Sequence, residues 1–119
     1  MSQNFEPGDF IVFQLESGFA LLRVLDVDDV NGEKIWHVAA YNEFFPDVDM
    51  AEAAAVDPSS LTISSSHIAL TNRAFESTQV AKLTNRPLTD EDTSGLQQWR
   101  TDPAQAVSDR SVRLMLGLR

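Results

Sequence analysis

The stretch from Asp9 to Tyr41, DFIVFQLESGFALLRVLDVDDVNGEKIWHVAAY, decides how the fold is read. Asp9 to Leu15 is rich in Phe, Ile and Val and reads as a strand, and Glu16-Ser17-Gly18 reads as a turn. Phe19 to Asp28 is a longer strand, and Ile35 to Tyr41 is a third. Asn31-Gly32 lies between the last two, and Asn-Gly flanked by apolar runs is the strongest local signal for a two-residue hairpin. The three segments predict an antiparallel meander.

A two-residue Asn31-Gly32 turn fixes a register. It sets Asp29 opposite Lys34, Val27 opposite Trp36, Asp26 opposite His37, Leu25 opposite Val38 and Arg23 opposite Ala40. One face then carries Phe19, Leu21, Leu25, Val27, Trp36 and Val38. The other carries Ala20, Leu22, Val24, Ile35, Ala39 and Tyr41. A half-exposed sheet shows one polar face, so two apolar faces predict cover on both sides.

Outward from the meander, Met50 to Val56 is rich in helix formers and predicts a short helix, closed by Asp57-Pro58. Leu61 to Ile63 and His67 to Thr71 are short strand candidates separated by Ser64-Ser65-Ser66, and Thr78 to Leu83 is a further strand or an irregular edge. Thr89 to Arg100 predicts a helix: Thr89 is a good N-cap, Asp90-Glu91-Asp92 put negative charge in the first turn, and Leu96 and Trp99 give a docking face. Ser111 to Arg119 fits strand or helix, and its helical neighbours favour helix, with Ser108 as a cap. The chain thus predicts one α+β domain. It comprises a meander over 9–41, an acidic loop and short helix over 42–57, short strands over 61–83 and a helical part over 88–117. The fold class is a small bent antiparallel sheet or SH3-like barrel with C-terminal helices packed on it.

The 119 residues carry a formal charge of −9, with no cysteine. Disulfides, thiol chemistry and Cys-based zinc sites are excluded. Residues 1–60 hold twelve acids and two bases, a net of −10, and residues 61–119 hold six acids and seven bases, a net of +1. A negative field of this kind repels phosphate backbones and favours a basic protein partner. Its asymmetry also allows self-association, acidic half to basic half. No apolar run approaches the roughly 20 residues that span a bilayer. Met1 to Pro7 has neither the basic nor the apolar region of a secretory signal, so the expected location is cytoplasmic, without nucleic-acid or membrane partners.

Two candidate sites emerge. If Ser17-Gly18 is a two-residue turn, Asp9 faces Asp26, and Asp26 faces His37 on the next strand. Adjacent carboxylates raise one pKa and an imidazole can exchange the proton, which makes an acid–base site, or else a structural ion pair. The second candidate is Glu43-Phe44-Phe45-Pro46-Asp47-Val48-Asp49, whose aromatics rimmed by acids have the composition of an interface hot spot. The alternative there is that Phe44 and Phe45 cap the sheet or staple the next helix. Asp26, Asp28, Asp29 and Asn31 do not follow EF-hand order, and Asp47, Asp49 and Glu52 form only a weak acidic cluster, so no metal is expected. Ser64-Ser65-Ser66 beside His67 lacks any nucleophile-elbow context, and no phosphate-binding glycine motif is present, so no cofactor is expected. The balance favours a non-enzymatic protein-binding domain, with an acid–base enzyme at His37 as the alternative.

Pro7-Gly8-Asp9-Phe10-Ile11-Val12-Phe13-Gln14-Leu15, followed by Gly18-Phe19-Ala20-Leu21-Leu22-Arg23-Val24-Leu25, resembles the opening of small barrel-type bacterial toxin-immunity proteins. The resemblance covers 20 to 40 residues at the N-terminus. It implies a cytoplasmic bacterial protein that neutralises a toxin by binding it, and it carries over no individual site residues.

Overall fold

A computed structural model describes residues 4–116, apart from the Arg113 side chain. The meander forms as β1 (Asp9–Leu15), β2 (Gly18–Val30) and β3 (Glu33–Phe45). At its second turn, Asn31 and Gly32 both take positive φ, 55° and 85°, as a mirror-image hairpin turn requires. The Asp29–Lys34, Val27–Trp36 and Asp26–His37 pairs form as expected.

Two features shift the predicted pairing. The ladder slips between Val24 and Asp26, so Val24, not Leu25, lies opposite Val38, and Arg23 lies opposite Ala39, not Ala40. Because side chains alternate, this one-residue bulge moves every earlier residue of β2 to the other face. Ala20, Leu22 and Val24 join Val27, Trp36 and Val38 on one face, and Leu21 and Leu25 move to the opposite one. In the first hairpin the turn is Glu16-Ser17, with Leu15 opposite Gly18, so Phe10 faces Arg23 and Asp9 never faces Asp26. Gly18 is needed in the strand: a Cβ there would sit 2.5 Å from the Phe45 carbonyl oxygen of β3.

Helix α1 (Val48–Val56) starts two residues earlier than predicted, because Asp47 accepts the Met50 N–H at 2.8 Å as its N-cap. After a 3-10 turn at Pro58–Ser60, strand β4 (Ile63–Thr71) runs through the three serines expected to interrupt it. It is an edge strand with an irregular ladder to β3, where exposed serines cost little. A short helix α2 (Asn72–Glu76), not foreseen, is capped by the Thr71 hydroxyl. Strand β5 (Val80–Asn85) pairs with β1 at the far edge.

The sheet order is β4-β3-β2-β1-β5, all antiparallel. Its two edge strands do not pair with each other, so the sheet is open and does not close as a barrel. The architecture is α+β. Helix α3 (Ser94–Thr101) begins later than predicted. Thr89 and Asp92 do form reciprocal cap bonds, at 2.9 and 3.2 Å, but around a turn that leads into the helix. Ser111, not Ser108, caps helix α4 (Val112–Met115). Ser108 instead bridges the β4 edge, donating its N–H to Ala69 and accepting from Thr71. The helical reading of 88–117 therefore holds only for these two short pieces, and residues 117–119 of the predicted terminal segment lie outside the described residues.

Both faces are covered, as two apolar faces require. One carries Ile11, Phe13, Leu22, Val24, Trp36 and Val38 beneath Phe75 of α2 and Val112 of α4. The other carries Phe10, Leu21 and Tyr41 under α1, and Leu25 and Ala39 under Leu96 of α3. No helix among the described residues is long and apolar enough to cross a membrane.

Candidate functional site

Asp9, Asp26 and His37 are not gathered into one site. Asp9 is buried at the start of β1, where it accepts hydrogen bonds from Glu6 N (2.9 Å) and Asn85 Nδ2 (2.7 Å) and pairs with Lys82 (3.4 Å). Its task is to tie the N-terminal segment to β5. The Glu16-Ser17 turn is the reason, since it displaces β1 by two residues from the register that would have joined the three.

His37 is 0% exposed and lies in a different cluster. Its Nε2 contacts Asp28 Oδ2 and its Nδ1 contacts His67 Nε2, both at 2.9 Å. Asp26, directly opposite in the ladder, turns to the Val27 N–H and to Arg100. Arg100, in the last turn of α3, reaches Asp26 Oδ2 at 2.7 Å and both oxygens of Asp28 at 3.1 Å. The Trp99 ring stands edge-on to His37, with centroids 4.8 Å apart, and lies 5.6 Å from His67. Its indole N–H donates to the Ala106 carbonyl at 2.8 Å.

Gly95 helps this cluster close. A Cβ there would lie 3.0 Å from His67 Cβ and 3.1 Å from the Ser66 carbonyl oxygen, so the glycine that weakens α3 as a helix lets it seat closely on β4 and bring Trp99 and Arg100 over the two imidazoles.

The electrostatics follow from this geometry. The Arg100 hydrogen bonds hold the Asp28 carboxyl below its ordinary pKa against the opposing effect of burial, with help from His37. Arg100 is raised in turn, chiefly by Asp28. Burial pushes His67 down to about 4, and positive charge at His37 and Arg100 adds to the effect.

His67, Asp28, Trp99 and Arg100 were not singled out together by sequence. The available signals were the Asp26-x-Asp28 spacing, which puts both acids on one strand face, and the fact that the chain has only two histidines. Ser65, two residues before His67, donates to the His67 carbonyl at 3.3 Å and is not aligned with its ring by any hydrogen bond. Beyond His67, a groove of about 540 Å³ opens between the β4 edge and residues 106–116, with Trp99, Ala69, Val107, Met115 and Leu116 in its walls.

Glu43, Phe44, Phe45, Asp47 and Asp49 stay together at the corner where β3 passes into α1. Two of the acids have local work. Burial pushes Glu43 up, but hydrogen bonds from Thr62 Oγ1 (2.6 Å) and N (2.8 Å) outweigh it and its pKa is lowered. Asp47 caps α1, and Phe45 packs on the cluster under that helix. Phe44 is 50% exposed, and Val48 and Met50 are 39% and 53% exposed, with Asp49 on the exposed first turn of α1.

Among the described residues, no group of three or more His, Asp or Glu side chains is arranged to hold a metal ion. Asp29 of the predicted acidic cluster caps its own turn through the Gly32 N–H, and Asp26 and Asp28 are engaged by Arg100. Comparison with protein-family models, curated proteins and solved structures gives no match.

Proposed function

We propose that this protein is a non-enzymatic, cytoplasmic protein-binding domain whose acidic corner at the end of β3 and the start of α1 engages a basic partner. The observation that carries this reading is the half-exposed Phe44, in a stretch, 42–57, with five acids and no base. Aromatic anchors are costly to expose and give binding energy when a partner buries them, while the surrounding acids steer a basic surface into contact. Val48 and Met50, in the first turn of α1, are exposed as well.

The resemblance of the N-terminal hairpin to small barrel-type toxin-immunity proteins supports the same reading. In that case the partner is a basic toxin neutralised by occlusion. The alternative of acid–base chemistry by Asp9, Asp26 and His37 together loses its support, because Asp9 is tied to Asn85 and Lys82 instead.

The test is a photo-crosslinking residue at position 44, followed by titration with the purified captured protein. A basic partner whose binding weakens with salt, and weakens about tenfold or more in Phe44→Ser, is the expected result. Phe44→Ser should change stability by less than about 1 kcal/mol. Capture of a second copy of this chain would point to self-association instead, and unchanged binding by Phe44→Ser would remove the corner from the interface.

A further inference from the structure

We propose that Asn31 is a modification site: it converts to aspartate and isoaspartate by attack of the Gly32 backbone nitrogen on its side-chain amide, and Asp29 holds that conversion in check. The site lies at the tip of the β2–β3 hairpin, at the other end of β3 from the acidic corner, and does not depend on it.

Of the asparagines, Asn31 alone precedes a glycine. Asn4, Asn42, Asn72 and Asn85 precede Phe, Glu, Arg and Arg, whose side chains crowd the nitrogen that would attack. The amides of Asn42, Asn72 and Asn85 are also held, the first by Thr62 and Ile63, the second by Trp36 and Glu76, the third by Pro7 and Asp9. No hydrogen bond from the described residues reaches the Asn31 side chain, and both turn residues are exposed.

Gly32 leaves the reaction room. Apart from its chain neighbours, no atom would lie within 4 Å of a Cβ placed there. Its N–H takes no part in the β2–β3 ladder, whose last pair is Val30–Glu33, and donates to Asp29 Oδ1 at 2.9 Å. Ring closure needs the Asn31–Gly32 peptide to rotate out of the turn, where both residues sit at positive φ. That rotation breaks one exposed hydrogen bond and displaces no packed atom around Gly32, so the tip can open without unfolding of the sheet.

The chemistry needs only base and water. The Gly32 N–H loses its proton to hydroxide, and the nitrogen forms a bond to Asn31 Cγ. The Cγ–Nδ2 bond breaks, and ammonia leaves after taking a proton from water. Water then opens the cyclic imide. Cleavage of the bond between nitrogen and Cγ gives aspartate. Cleavage of the bond between nitrogen and the backbone carbonyl carbon gives isoaspartate, with the chain running through the former side chain. Either product replaces a neutral amide with a carboxylate and takes the formal charge from −9 to −10. Isoaspartate also lengthens the backbone of a two-residue turn, so the Val30–Glu33 and Asp29–Lys34 pairs lose their register.

Asp29 is the brake for two reasons. Its hydrogen bond keeps the Gly32 nitrogen in the turn, and its negative charge opposes the loss of the N–H proton that attack requires.

The test follows the full chain at mildly alkaline pH by mass spectrometry. Trypsin releases residues 24–34, a fragment bounded by Arg23 and Lys34 that holds no other asparagine. This fragment should gain one mass unit with time, before any other fragment that contains asparagine. It should separate into aspartate and isoaspartate forms, told apart by electron-transfer fragmentation. Asn31→Gly, which keeps a residue free to hold positive φ, should not change in mass. Asp29→Ala should react about fivefold faster, the effect of losing one exposed hydrogen bond to a charged group. Val30→Ala loosens the closing pair of the same hairpin but spares the Gly32 bond, and should react at the unsubstituted rate. Amide NMR shifts in the aged protein should stay within the hairpin tip, with Phe44 unmoved. The proposal is overturned by an unaltered 24–34 fragment, by earlier reaction at another asparagine, or by equal rates in Asp29→Ala and the unsubstituted chain. Equal acceleration by Val30→Ala would likewise remove Asp29 as the brake.

Discussion

On one face of the sheet, Trp36 stacks on Phe75 at 4.1 Å with their planes 9° apart, and Ile11, Phe13, Leu22, Val24 and Val38 pack around them. On the other face, Arg23 and His37 lie buried beside two smaller apolar clusters, one under α1 and one under α3. Both faces exclude water, by different means. The first is an apolar core in which the one polar group of Trp36, its indole N–H, is satisfied by Asn72 at 2.9 Å. The second must satisfy a guanidinium and an imidazole. The two terminal nitrogens of Arg23 find the Arg86 and Pro87 carbonyls and Asp92, and the guanidinium lies over the Phe10 ring, while its buried Nε has no partner among the described residues. Apolar burial tolerates approximate geometry, whereas buried polar groups demand specified partners. The first face therefore supplies most of the stability, and the second fixes where residues 86–100 lie on the sheet.

The contrast can be broken most severely at Trp36. Trp36→Ala removes the largest buried side chain and its stacking partner's contact, and should cost about 3–5 kcal/mol, read as a lower urea midpoint with little change in slope. A smaller loss would mean that the first face collapses around the cavity. Next comes Arg23→Ala, which deprives two carbonyls and Asp92 of a charged donor and should cost about 2–3 kcal/mol. It should also raise amide exchange across residues 86–93 more than in β3, and equal exchange in both would deny the positioning role.

The smallest effect is the pH dependence of the second face. His67 titrates at 6.5 when unfolded and about 4 when folded, so the unfolded chain binds more protons between those values. The stability that this difference contributes is present above about pH 6.5 and is lost as pH falls toward 4. Asp28, also lowered from its ordinary 3.8, adds a further loss below that value. Thermal unfolding of His67→Gln should show a flatter profile between pH 6.5 and 4 than the unsubstituted chain. Parallel profiles would remove His67 from the linkage.

The meander and its second register were legible because Asn31-Gly32 is a local signal with one preferred hairpin geometry. The bulge beside Leu25 was not, because a continuous apolar run looks the same with or without one extra residue. That slip exchanged the faces of Phe19 to Leu25 and so rearranged the predicted core while leaving its composition intact. The acidic corner was legible as a segment, but which of its side chains remain exposed depended on Thr62 and on the packing under α1. The Asp28–His37–His67 chain was half legible: Asp26 and His37 were placed opposite each other, but the ring turned to its diagonal neighbour and to a strand 30 residues away.

The sequence by itself determined the strand-turn-strand order, the two-sided burial of the sheet and the concentration of negative charge in the first sixty residues. These depend on residue type and short-range backbone preference. Tertiary structure decided the open five-stranded order, the separation of Asp9 from Asp26, and the meeting of His37 with His67, Trp99 and Arg100. Those contacts exist only after β4 pairs with β3 and Gly95 lets α3 close on β4, and no local pattern encodes either event.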